Sequence, residues 1–192
     1  ELATKISESH QKKYEKLLPL SKQESYPVSS AQKRLYAIQM IDKENIAYNM
    51  PFAFILQGRV DRVRIKEAIQ QLTMKHESLR TSFHIQGEDI VQKIDDQVTL
   101  PFSYEEVESQ KEVDEALIRL VQPFDLRQAP LARFGLIKWL DSYILMIDIH
   151  HIVSDGTTMG ILAEDFMKAY EGEKFELEQI QYKEYAVWEK EQ

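Results

Sequence analysis

Two apolar runs, Arg133 to Leu140 and Tyr143 to Ile149, flank the polar pair Asp141-Ser142, and no other feature restricts the fold of this chain as strongly. Strand-forming residues on both sides of a two-residue link made of short polar side chains predict an antiparallel hairpin turning at Asp141-Ser142. The second strand delivers His150-His151-Ile152-Val153-Ser154-Asp155-Gly156 at its end. Beyond Gly156, Met159, Leu162, Phe166 and Tyr170 recur at spacings of three and four, which predicts an amphipathic helix ending near Gly172. A histidine loop therefore joins a strand to a helix.

The rest of the chain supplies what such a hairpin needs for cover. Phe52-Ala53-Phe54-Ile55-Leu56, closed by Gly58, is a short apolar run that predicts a buried strand. Asp61 offers a helix cap ahead of Ile65, Ala68, Ile69 and Leu72, and Thr81 to Ile85 and Ile90 to Ile94 form a second hairpin pattern turning at Gly87. A helix through Val113, Leu117 and Leu120 has to stop before Pro123, whose nitrogen has no hydrogen to donate. Ser29 or Ser30 can cap a helix in which Ala31, Leu35 and Ile38 make a buried stripe. Strands joined by hairpins and mixed with covering helices predict an α+β sandwich rather than a doubly wound parallel sheet.

Residues 1–25 differ in texture: Lys, Glu, Gln and Ser dominate up to Pro27, and this stretch reads as a short helix tail and linker ahead of a domain over 26–192. With 192 residues and 43% apolar side chains, the chain has enough material for a core. The 32 acidic residues outnumber the 24 basic ones, and no Lys/Arg run interleaved with aromatics offers itself to a phosphate backbone, so nucleic acid is not an expected partner. There is no cysteine, which removes disulfides, thiolate metal sites and cysteine nucleophiles together and makes the cytoplasm the expected compartment. No apolar stretch approaches the ~20 residues that cross a bilayer, so no membrane partner is expected.

Chemistry concentrates in the histidine loop. Neighbouring residues leaving a strand point to opposite faces, so one of His150 and His151 faces a cavity and the other faces inward. A neutral imidazole can take a proton from an attacking amine or hydroxyl, as acyl transfer requires. Asp155 either orients a histidine or turns away to pair with a buried arginine and hold the loop in shape; both readings stay open on the residues alone. Gly156 permits backbone angles that other residues resist, and its N–H at the head of the helix can donate to a developing oxyanion. A metal site built from His150, His151 and Asp148 or Asp155 is a poorer fit, because adjacent histidines diverge and no zinc spacing is present.

Several segments, in order, resemble the condensation domains of nonribosomal peptide synthetases. Ser29-Ser30-Ala31-Gln32-Lys33-Arg34-Leu35-Tyr36-Ala37-Ile38 is similar to that family's opening motif, with Ile38 in place of leucine. Lys75-His76-Glu77-Ser78-Leu79-Arg80-Thr81-Ser82-Phe83 resembles its second motif, with Lys75 in place of arginine. The His150 to Gly156 segment fits the family's pattern of two histidines, three residues, Asp and Gly. Tyr182 to Trp188 resembles a later segment in which Glu184 stands where Asp is usual.

The resemblance implies a fold related to chloramphenicol acetyltransferase, of which this chain supplies the N-terminal one of two lobes, with residues 1–25 as the tail of a preceding carrier domain and its linker. It implies peptide-bond formation between an acyl or peptidyl thioester donor and an aminoacyl acceptor, with His151 catalytic and His150 and Gly156 shaping the loop. Asp155 would pair with Arg80 or, as second choice, Arg34. No cofactor would be covalently bound; phosphopantetheine arms would arrive on upstream and downstream peptidyl carrier domains. The C-terminal lobe and an adjacent adenylation domain are the other implied partners, and the lone lobe is expected to be inactive. An epimerising relative shares the histidine motif but usually carries an aromatic near a serine where this chain has Thr157-Thr158-Met159. A noncatalytic carrier-docking module is the competing reading from outside the enzymes.

Overall fold

The computed structural model describes residues 17–176 and 178–192; the predicted helix tail and most of the linker fall outside that range. The elements run β1 (Tyr26–Pro27), α1 (Ser30–Ile41), β2 (Asn49–Leu56), α2 (Arg62–Lys75), a 3₁₀ turn (Glu77–Arg80), β3 (Thr81–Gln86), β4 (Asp89–Ile94), β5 (Phe102–Val107), α3 (Gln110–Leu120), β6 (Ala132–Trp139), β7 (Ser142–His150), a second 3₁₀ turn (His151–Val153), α4 (Gly156–Glu171) and α5 (Tyr182–Glu191).

The predicted hairpin of β6 and β7 is the centre of the larger sheet, whose order is β2-β7-β6-β5. Its turn sits one residue earlier than expected, on Leu140-Asp141, because Trp139 pairs with Ser142; Leu140 takes φ 52° to close it. β2 and β6 run antiparallel to β7, and β5 runs parallel to β6. The α+β class with a mixed sheet therefore holds.

Alternation along β7 separates two apolar layers. Leu145, Ile147 and Ile149 face α2 and α4 and join Ile65, Leu72, Leu162 and Phe166 in the main core, whereas Ile144 and Met146 face Val113 and Ala116 of α3. Gly135 is needed for this packing: a Cβ there would stand 2.6 Å from the Met146 methyl and 3.0 Å from Ser103 Oγ. The smaller sheet, β1-β4-β3, contains the predicted second hairpin, with Gly87 at φ +65° in its turn. Asp61 caps α2 as expected, accepting from Val63 N at 2.8 Å and Arg64 N at 3.3 Å.

Two expectations need correction, and one strand was not expected. β2 is an edge strand and not a buried one: Ile55 is 71% exposed, because among the described residues β2 has a neighbour on only one side. β5 carries no strong apolar alternation, and the sequence pattern does not mark it as a strand. On α1 the buried face is Gln32, Tyr36 and Gln39, while Ala31 and Ile38 are exposed and Leu35 is half-buried. Polar side chains turn inward there because they satisfy loop backbone. Gln39 Nε2 donates to Lys43 O at 3.2 Å and Asn45 O at 3.0 Å, and Gln32 Nε2 donates to Ile152 O at 3.4 Å.

Candidate active site

The register of β7 decides which histidine does what. His150 lies on the strand, paired with Asn49 of β2, and is fully buried. Its Nδ1 accepts from Ile152 N at 3.0 Å, so the ring proton sits on Nε2, which faces Gln39 Oε1 at 3.3 Å. Phe124 meets the ring edge-on with centroids 6.1 Å apart. Burial, with a smaller contribution from His151, pushes the His150 pKa down to about 4. His150 is thus a neutral strut that turns the chain out of the sheet.

His151 begins the 3₁₀ turn and is exposed. Its backbone N–H donates to Tyr48 O at 2.8 Å, fixing where the residue leaves the sheet. Its Nδ1 lies 2.6 Å from Ser154 O, and because a carbonyl can only accept, Nδ1 carries the hydrogen. In the neutral ring this leaves the lone pair on Nε2. Ser154 is itself held, with Oγ donating to His150 O at 3.0 Å, so the loop orients the ring without help from any carboxylate.

Asp155 does not meet an arginine. It caps α4: Oδ1 accepts from Thr157 N at 3.0 Å, Thr158 N at 2.9 Å and both threonine hydroxyls at 2.8 Å. Hydrogen bonds from the Thr157 and then the Thr158 side chain hold its carboxyl below the usual range. Arg80, the expected partner, donates Nε to Thr73 O at 2.9 Å and Nη1 to Asp95 O, bracing the end of α2; Arg34 lies exposed on α1. The four donors already on Oδ1 use the carboxylate as a cap, which removes the need for an ion pair. Gly156 opens α4 without a positive φ and with open space where a Cβ would stand, so the backbone does not require glycine there.

His151, Ser154, Asp155 and Thr158 form one wall of a cavity of about 320 Å³. Ala31 and Leu35 of α1, His76 to Ser78 after α2, Ile94 of β4, Ile161 of α4 and Tyr182 of α5 contribute to the rest. All four of the sequence segments singled out above therefore contribute to a single cavity.

Sequence reasoning missed the polar cluster behind that wall. Asp165 of α4, 4% exposed, accepts from Lys75 Nζ at 2.9 Å and from His76 Nε2 at 2.8 Å. Burial alone would raise its pKa, but the bonds from Lys75 and His76 outweigh that and leave it lowered. One signal was present: Asp165 follows Leu162 by three and precedes Phe166, so it is a charge on the apolar stripe of its helix.

A mixed sheet sandwiched by helices, with a histidine loop leaving its central hairpin into a capped helix, defines one lobe of the chloramphenicol acetyltransferase-like fold. The crystal structure of the X-domain from teicoplanin biosynthesis matches with TM-score 0.82 at 23% identity, over 92% of this chain and 40% of that one. The condensation domain from Monacolin K polyketide synthase matches with TM-score 0.79 at 20% identity, over 91% and 40%.

The chain belongs to the condensation domain family, whose model matches residues 22–192. It is 43% identical over 190 residues to tyrocidine synthase 3 of Brevibacillus parabrevis, covering 98% of this chain and 3% of that protein. It is 41% identical over 191 residues to gramicidin S synthase 2 of Brevibacillus brevis, covering 99% and 4%. The chain thus spans a small part of the curated relatives it matches and about two fifths of the matched solved chains.

Proposed function

We propose that this lobe forms one wall of a peptide-bond-forming site in a nonribosomal peptide synthetase. The carrying observation is the His151 ring, pinned through Nδ1 to Ser154 O at 2.6 Å and lining the cavity, an orientation that in the neutral imidazole leaves the Nε2 lone pair for substrate. An amine nitrogen of the aminoacyl acceptor attacks the thioester carbonyl carbon of the donor; the carbon–sulfur bond breaks, and the proton lost by the amine ends on the departing thiol. Nε2 is placed to accept a hydrogen bond from that amine or to take its proton and pass it on.

The reading requires two peptidyl carrier domains, upstream and downstream, presenting phosphopantetheine thioesters, the C-terminal lobe to close the site, and an adjacent adenylation domain, all in the cytoplasm. It also makes residues 1–25 the end of a preceding carrier and its linker, and the lone lobe inactive. The test uses the intact parent domain, wild type and His151→Ala, with both carriers loaded and product followed by mass spectrometry beside thermal melting. Loss of product by two or more orders of magnitude at an unchanged melting temperature is expected. Undiminished product would defeat the mechanism and favour a noncatalytic docking module.

A further inference from the structure

The cavity that holds His151 is lined by a second imidazole, His76. His76 ends α2, where its backbone N–H closes the helix on Leu72 O at 2.9 Å, and its ring reaches α4. The Asp165 carboxylate can only accept in its contact with Nε2 at 2.8 Å, so the ring hydrogen is on Nε2. Nδ1 then carries a lone pair. Among the described residues Nδ1 has no hydrogen-bond partner, and it is not one of the buried polar atoms sealed away from solvent.

The arrangement differs from that of His150, whose two ring nitrogens are both satisfied inside the protein. Burial, only partly opposed by the Asp165 hydrogen bond, holds the His76 pKa below its ordinary value and keeps the ring neutral near pH 7. Asp165 is in turn fixed by Lys75 Nζ at 2.9 Å, so the ring cannot swing away without leaving a buried carboxylate short of a donor. A buried anion, a locked tautomer and one unused acceptor at a cavity wall make a recognition element rather than a packing residue.

We propose that His76 Nδ1 is a substrate-positioning acceptor that receives a hydrogen bond from an N–H group of the thioester substrate occupying the cavity, with Asp165 setting its tautomer. The inference rests on the reading of the cavity as a thioester site. Two N–H sources have this chemistry: the amides of a pantetheine arm and the amino group of the aminoacyl moiety.

The experiment measures KM and kcat separately in the parent domain with loaded donor carrier and a soluble acceptor, either aminoacyl-pantetheine or the aminoacyl thioester of ethanethiol, which has no amide. A glutamine amide reproduces the Nε2 position and an asparagine amide the Nδ1 position, so the two substitutions divide the ring's functions. His76→Gln, which keeps the bond to Asp165, is expected to raise KM about tenfold with kcat and melting temperature unchanged, the loss of a single hydrogen bond. His76→Asn is expected to show the reverse, a KM near wild type and a lower melting temperature.

A KM penalty confined to aminoacyl-pantetheine would assign the N–H to the arm, and one shared by both acceptors would assign it to the amino group. Wild-type KM in His76→Gln, or kcat and melting temperature falling together in it, would overturn the proposal and leave His76 as an anchor for Asp165. Because this readout needs product, a failure of the peptide-forming reading shows separately, as undiminished product in His151→Ala.

Discussion

Asp165 and Asp148 are both buried carboxylates close to the histidine loop, yet they sit in opposite electrostatic conditions. Asp165, on α4, receives Lys75 and His76, and its pKa is lowered despite burial. Asp148, on β7 two residues before His150, is fully buried and receives one short bond, from Asn49 Nδ2 at 2.8 Å; Arg133 Nε stays 3.7 Å away. The Arg133 guanidinium lies over the Phe124 ring instead, and Asp148 Oδ1 has no partner among the described residues. Burial therefore raises the Asp148 pKa, with Asn49 and Arg133 only partly opposing it. Partners, and not depth, decide whether a buried carboxylate holds a fold together.

The sharpest way to break the contrast is Asp165→Leu in the parent domain. It leaves Lys75 and His76 without their buried acceptor, and the expected cost is about 3 kcal/mol, read from chemical denaturation. A loss below about 1 kcal/mol would mean that Glu178, 3.7 Å from Lys75, takes over the role.

Acidification probes the histidine loop itself, because His150 meets Phe124 edge-on and is held neutral. Its folded pKa is lowered to about 4 from 6.5. The unfolded chain therefore binds a proton that the folded chain refuses, and stability falls as pH drops from about 6.5 towards 4. At about 1.4 kcal/mol per unit this amounts to roughly 3 kcal/mol. His150→Gln, which cannot titrate, should flatten that part of the stability–pH profile, and an unchanged profile would place the sensitivity elsewhere.

Asp148→Asn is the corresponding probe of the poorly paired carboxylate, with an expected change at pH 7 below about 1 kcal/mol in either direction. The sign with pH is the informative part. A raised folded pKa means that the folded state binds the extra proton, so this group favours folding at low pH and opposes it as pH rises past its unfolded value. Asp148→Asn should therefore gain on wild type between mildly acidic pH and pH 7. Asp165 has the opposite sign, its contribution being lost as pH falls through its lowered value.

The sequence exposed the apolar side of this contrast and hid the polar side. The β6–β7 hairpin, α2, α3 and α4 were legible because Ile65 to Leu72 and Met159 to Phe166 repeat with helical period and bury what they repeat. The larger sheet's edges were not: β2 looks like a core strand by composition, and only its place beside β7, with no strand beyond it among the described residues, turns Ile55 outward. The histidine loop was legible as a motif, but the division of labour between His150 and His151 depends on Gln39 and Ser154 O. Gln39 lies 111 residues away in the chain, and no local pattern records such a contact. The arginine expected beside Asp155 is displaced by two threonines one turn away, whose cap geometry is invisible until the helix start is fixed.

That cap sets up the smallest expected effect, at Gly156. A glycine after the histidine loop suggests a backbone in need of unusual angles, but it sits at the first position of α4 with no positive φ, and a Cβ there meets nothing within 4 Å. Gly156→Ala should leave stability within about 0.5 kcal/mol of wild type or raise it slightly, since alanine loses less backbone freedom on folding. If glycine is there for the reaction, the same variant lowers product formation by the parent domain while melting at the wild-type temperature. The added methyl would then crowd whatever approaches the N–H groups at the start of the helix, a few residues from His151. Unchanged product at unchanged stability would instead show that Asp155 and its two threonines hold the helix start without any contribution from the glycine.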